Sequence, residues 1–413
     1  MEYIQQFSLL FFILLVAFGD WLNPAVAFAL PWTFILGASQ LNLLVLQRDI
    51  GYKTLLLIAS NIAIAFFINW SLKPAKVNRH GGTRPAFVPR PSSGSRMAML
   101  TLVAAFIALI DIVYSGGLPL VALVTGVGPT YKEFGVPSLN GLLVALVNCL
   151  CCIAMTLYLL SRNRKYLYYV FLFIFWHIFV ISRENILLLL TELGVIYFTF
   201  KQKRPNRIRA LIVGVVFLAA FTVAGGVRSG DIYEATGVAE SASSYPRAFV
   251  WLYMYSVANV YSIDSVIDVP PHLGLSFVNS LIPTFLRVDD LDAAGLIERW
   301  QEGAVFSYIP LMYLDIGFWG VLGFTALMFV LTFNCYYKSR SLDRPLFVLI
   351  YPVLFYSAFM SFFVNYWLYL PVISQIILFS AIAHLFFKTP RKKMLFVAGR
   401  GEGIDQRNGR SGA

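Results

Sequence analysis

Gly225-Gly226-Val227-Arg228-Ser229-Gly230 opens a stretch, residues 225–304, that is the one long polar interruption in an otherwise apolar chain. It holds ten acids and four bases. Every base is arginine (Arg228, Arg247, Arg287 and Arg299), and lysine is absent. The stretch is therefore net −6 in a chain of net +11, which leaves +17 for the remainder. Basic residues of membrane proteins collect in cytoplasmic loops, so the acidic stretch belongs on the outer side of the bilayer. Arginines kept there beside aromatics suit a planar, multi-oxygen anion such as a diphosphate, which a guanidinium grips through two parallel N–H groups.

The rest of the chain fits that reading. Of its 413 residues 59% are hydrophobic and 13% charged, where soluble domains carry about 25% charge. The expected class is an all-α polytopic integral membrane protein, residues 1–413 forming a single membrane domain. Eleven apolar runs approach the length of a bilayer span, within a range of 10–12. They are Phe7–Phe18, Val26–Leu46, Leu55–Trp70, Met97–Val113, Leu139–Leu160, Leu167–Ile181, Ile186–Phe200, Leu211–Ala224, Gly317–Phe333, Leu346–Val364 and Leu370–Phe387. Basic clusters occupy alternate connections: the 71–96 loop, Arg162 to Lys165, Lys201 to Arg209, Lys338 to Arg344, and Lys388 to Lys393. These are expected in the cytoplasm, with the N-terminus and the 225–304 loop outside. The scheme leaves Arg48 and Lys53 outside as well. The basic excess is topological and does not call for nucleic acid. Residues 388–413 read as a cytoplasmic, mostly disordered tail. Cys149, Cys151, Cys152 and Cys335 lie inside apolar runs and read as small core residues. No spacing fits a metal site.

Four constellations can carry chemistry. Ser182-Arg183-Glu184-Asn185 breaks an apolar stretch, and arginine at membrane depth is costly enough to need a purpose. Gly225 to Gly230 places Arg228 among glycines whose amides can approach a phosphate. Tyr245-Pro246-Arg247 leads into Trp251, Tyr253 and Tyr255, which read either as sugar-stacking faces or as an interfacial helix. Last, Glu302 and Asp315 are carboxylates at a span edge, placed either as a general base toward a sugar hydroxyl or as helix N-terminal acids. Asp111 is the main acid within a span. That scarcity of mid-span ionisable groups argues against a transporter.

In order along the chain, the pieces resemble the bacterial oligosaccharide repeat-unit polymerases, the Wzy or O-antigen polymerase family. They are Tyr114-Ser115-Gly116-Gly117-Leu118-Pro119, Tyr131-Lys132-Glu133-Phe134-Gly135-Val136-Pro137, Ser182-Arg183, the Gly226-to-Gly230 motif, Leu281-Ile282-Pro283, and Tyr313-Leu314-Asp315-Ile316-Gly317 with Gly320. The resemblance implies a GT-C-like inner-membrane glycosyltransferase with one large periplasmic loop. It would join repeat units carried on undecaprenyl diphosphate into O-antigen, capsule or exopolysaccharide. Arg183, Arg228, Asp315 and Glu302 would be catalytic; Arg247, Arg287, Lys132, Trp251, Tyr253 and Tyr255 would bind substrate. No metal or other cofactor is implied. Partners would be the lipid-linked oligosaccharide, membrane lipid, a flippase and a chain-length regulator. The alternatives are an O-antigen ligase, in which His272 would matter, and a lipid-linked oligosaccharide flippase.

Overall fold

Ten of the eleven apolar runs fold as helices in the computed structural model of the protein. It describes residues 2–45, 49–74, 85–202, 232–234, 238–271, 281–282, 286 and 307–389. The eleventh run, Leu211–Ala224, lies outside the described residues, as do Arg228, His272, Arg287, Glu302, the 75–84 part of the basic loop and the tail from 390. In chain order the helices are α1 (Glu2–Phe18), α2 (Pro24–Ala38), α3 (Tyr52–Leu72), α4 (Ser93–Ser115), α5 (Pro119–Thr125), α6 (Leu139–Ser161), α7 (Lys165–Phe179) and α8 (Arg183–Lys201). After them come α9 (Arg247–Asp264), α10 (Tyr308–Arg340), α11 (Pro345–Phe359) and α12 (Leu370–Phe386). Two short strands, β1 (Val88–Pro89) and β2 (Phe387–Lys388), complete the order.

Five of these segments are long and apolar enough to cross a membrane: Pro24–Leu41, Tyr52–Leu72, Ser93–Thr125, Leu139–Ser161 and Tyr308–Arg340. Helix is the element such sequences must choose, because it satisfies every backbone group internally. α6 is the hub, packed on α4, α7, α8 and α12. Of its apolar window 78% is buried, against 22% for Ser93–Thr125, so α4 is peripheral. α4 turns Leu102, Phe106 and Val113 outward, the exposed apolar wall of a helix that faces lipid.

The bundle has two chemically distinct ends. At the basic end β1 pairs antiparallel with β2, Val88 opposite Lys388. There Ser93 donates its hydroxyl to the Phe386 carbonyl (2.8 Å), Ala86 its N–H to Leu342 (3.0 Å), and Gln202 its amide to Arg340 (3.1 Å). Four of the five basic clusters thus meet on one face. At the other end, the loop end, Leu44 bridges Val238 and Lys53 pairs with Asp268. Asp264 accepts bonds from the Gly51 N–H (2.8 Å) and the Thr54 hydroxyl (2.6 Å).

The 225–304 stretch is not wholly a polar loop. Within it α9 lies across the loop-end termini of α2 and α3, with twelve buried residues. Val250, Tyr253, Met254, Val257 and Val260 recur at helical spacing and bury one face. The ninth run also begins earlier than its apolar pattern predicts. α10 starts at Tyr308 and passes through a non-helical Gly317 (φ 67°, ψ −174°), a conformation that essentially only glycine adopts. Pro271 packs against that glycine, 3.2 Å from where a Cβ would stand.

Candidate functional site

The tightest reversal at the loop end joins α7 to α8. Only Val180, Ile181 and Ser182 turn the chain. Ser182 donates its N–H to the His177 carbonyl and Ile181 donates to Ile178, both at 3.0 Å. This two-bond cap normally takes glycine at its left-handed position. Here the residue is Ile181, with φ 55°. A β-branched side chain in that conformation costs about 1–2 kcal/mol. Strain of this kind concentrates at functional sites. Its geometric result is that Arg183 and Glu184 become the first residues of α8, where unpaired N–H groups favour negative charge.

Two elements face this turn. Tyr356 stands near the end of α11, and Tyr366 on the 360–369 turn that leads into α12. Their rings meet edge to face with centroids 5.0 Å apart. Both are fully buried. The Glu184 carboxylate interacts with the Tyr366 hydroxyl, which in turn interacts with the Tyr356 hydroxyl. Ser361 Oγ and Trp367 Nε1, on the same turn as Tyr366, are buried without a partner. Buried polar atoms are nearly always satisfied, so these two need an explanation. Glu184 is exposed at the start of α8.

The same turn gathers the other loop-end elements. Trp367 meets Tyr308 at the start of α10 (5.2 Å between centroids), and Phe363 meets Tyr255 of α9 (5.5 Å). Residues 131–137 approach α7 through Phe134 and Trp176 (6.1 Å). Two pieces of the sequence pattern are also tied together: Ser115 Oγ accepts from the Gly135 N–H (2.7 Å) and Asp111 from the Val136 N–H (2.9 Å).

The residues singled out from sequence fall in different settings. Arg183 is half-buried at the start of α8. Lys132 is exposed in the 126–138 loop, next to Glu133. Thr130 donates its N–H (3.0 Å) and its hydroxyl (2.8 Å) to Glu133 and holds that carboxyl below the usual range. Arg247 lies over the Tyr233 ring, 5.5 Å from its centroid. Trp251 and Tyr253 are buried against the bundle, and Tyr255 is half-buried, stacked on Trp251. Asp315 is only 1% exposed, two residues before the break at Gly317. Arg228, Arg287 and Glu302 lie outside the described residues.

Sequence reasoning missed Tyr356 and Tyr366, although the aromatic run Tyr366-Trp367-Leu368-Tyr369 was visible. It also passed over Glu192. That acid is fully buried midway along α8, where Gln375 of α12 donates to both carboxylate oxygens (3.0 and 2.9 Å) and Cys152 lies 3.1 Å away. The scarcity of acids inside the spans is therefore less complete than Asp111 alone suggests. Among the described residues no cluster of three metal-ligating side chains occurs. Comparison with protein-family models, with curated proteins and with solved structures finds no match.

Proposed function

We propose that this chain is a multi-pass bacterial inner-membrane glycosyltransferase, a polymerase that joins oligosaccharide repeat units carried on undecaprenyl diphosphate. Eleven spans and an outward 225–304 loop complete the reading. The basic end faces the cytoplasm, since four of the five Lys/Arg clusters meet there. Lys53, stranded outside by this scheme, is neutralised there by Asp268.

One observation supports the reading above the others. Arg183 leaves a strained turn at the loop end beside the Glu184 carboxylate and two buried tyrosines, Tyr356 and Tyr366. A guanidinium suits the donor diphosphate and the charge that develops on it as it leaves. Hydroxyls and aromatic rings suit sugars. In this reading Arg228 and Arg287 join Arg183 at the diphosphate, while Arg247 and Lys132 line the approach. A carboxylate such as Asp315 or Glu302 takes the acceptor proton, and α9 supplies aromatics from Trp251 to Tyr255. A flippase and a chain-length regulator are the expected partners.

The test is glycan chain length in a deletion strain complemented with wild type, Arg183→Ala or Arg228→Ala, at matched protein levels. The expected outcome is a ladder in wild type that collapses to single repeats in either variant. Full-length polymer from both variants would sink the assignment.

A second reading, transport of a lipid-linked sugar, draws support from Glu192. Its carboxylate and the Cys152 and Gln375 partners form a polar cluster inside the bundle, the placement expected of a transport path. Repeat units trapped at the cytoplasmic face in the deletion strain would favour it.

A further inference from the structure

We infer that the groove between the basic ends of α3 and α10 binds an anionic phospholipid of the leaflet at that end, with Lys338 on the phosphate and Asn334 at the glycerol esters. The site needs only that the bundle lie in a bilayer, and it holds whether or not the chain polymerises sugars.

The groove has a volume of about 440 Å³. Leu72 and Pro74 line it from the end of α3, and Val330, Asn334, Lys338 and Ser341 from α10 and the residue after it. Tyr337 ties the two walls together, since its hydroxyl donates to Asn69 Oδ1 on α3 (2.9 Å).

The α10 residues are three or four apart and so share one face. That face changes its chemistry turn by turn. Leu327, Val330 and Leu331 are exposed, an apolar surface of the kind that meets acyl chains. One turn later Asn334 is exposed on the same face, and its side chain makes no hydrogen bond among the described residues. An amide turned toward hydrocarbon without a partner is costly, and the ester carbonyl of a lipid supplies one. A further turn on, Lys338 is exposed, with its ammonium 4.7 Å from the centroid of the Phe347 ring. No carboxylate pairs with it among the described residues. The ring holds the ammonium in place and leaves it N–H donors for a phosphate. Four residues separate Asn334 from Lys338, about 6 Å along the axis. The headgroup layer of one leaflet is about 5–8 Å deep. Apolar surface, amide and ammonium therefore fall where a phospholipid places its chain, its ester and its phosphate.

Charge selects the headgroup. Lys73 is exposed between Leu72 and Pro74, so a second ammonium borders the groove, and no acid lines it. Basic pockets between helices at the membrane edge take anionic headgroups. A lysine is a compact point charge without the fork that grips a diphosphate, so one phosphodiester suits the groove better than a polyprenyl diphosphate. Arg340, at the end of the same helix, lies over the Tyr336 ring instead, 6.0 Å from its centroid.

Native mass spectrometry of the full-length protein in detergent, titrated with phosphatidylglycerol or phosphatidylcholine, tests this. Wild type is expected to retain phosphatidylglycerol at concentrations where phosphatidylcholine is lost. Lys338→Gln should weaken phosphatidylglycerol binding roughly 5-fold, and Lys338→Arg, which keeps the charge, should not. Val330→Trp, which fills the apolar part of the groove, should abolish retention. Arg164→Gln removes the same charge from the basic end away from the groove and should leave the affinity unchanged. Equal retention of the two lipids by wild type would overturn the inference, as would a folded Lys338→Gln protein with wild-type affinity. Equal weakening by Lys338→Gln and Arg164→Gln would overturn it in favour of diffuse charge attraction. Displacement of phosphatidylglycerol by an equal concentration of glycerol phosphate would overturn it in favour of a site for free anions.

Discussion

Single residues at the loop end hold conformations that most side chains resist, and that is where the bundle departs from a plain stack of apolar helices. Gly317 is the clearest case. Its φ/ψ is closed to side chains, and an added Cβ would press on Pro271. Gly317→Ala is expected to destabilise the protein by about 1–3 kcal/mol, read as a lower unfolding temperature in detergent. An unchanged temperature would show that α10 straightens without cost. Sequence patterns exposed this position only partly. Gly317 and Gly320 were visible as a motif, but a hydropathy pattern starts the helix at the glycine rather than breaking it there. The same limit explains Glu192: one acid in an apolar run looks like noise until Gln375, 183 residues away, is seen to hold it. Arg183 was legible because arginine between two apolar runs is costly in any fold. Ile181 was not, because no composition rule places a β-branched residue in a left-handed turn.

Elements explain how the acidic stretch is anchored. α9 is tied to the start of α3 through Asp264, which accepts from both the Gly51 N–H and the Thr54 hydroxyl. Asp264→Ala leaves two donors to find new partners and should cost about 1–3 kcal/mol. The neighbouring Lys53–Asp268 pair is exposed on both sides, so Asp268→Ala should cost under about 1 kcal/mol. Urea or thermal unfolding of the two variants side by side checks the ranking; equal losses would mean that α9 is not held through the half-buried Asp264. From sequence, α9 read equally well as sugar platform or interfacial helix, because aromatics at helical spacing serve both. Trp251 and Tyr253 are buried in packing, and Tyr255 reaches the 360–369 turn through Phe363.

At the scale of the molecule, alternating charge was the most legible property. Basic connections far apart in sequence gather at one end, and the acidic segment ties down the other. Labelling measures the sidedness directly. The native cysteines are buried or half-buried, so the background is low. Asp268→Cys is expected to react with an impermeant maleimide in spheroplasts, whereas Lys388→Cys should react only after permeabilisation. The reverse pattern would invert the topology and remove the site from the compartment where lipid-linked repeats are polymerised.

The small clasp between β1 and β2 sets a timetable for assembly. Val88 leaves the ribosome 300 residues before its partner Lys388. At about 5–20 residues per second the wait is roughly 15–60 s. During that interval α4 sits in the bilayer with the Ser93 hydroxyl and the backbone of β1 lacking their eventual partners at the end of α12 and on β2. α12 and β2 thus complete a joint begun by β1 and α4. Nascent chains stopped before Phe386 should therefore present an unfinished basic end to membrane proteases, and chains extended past Lys388 should not.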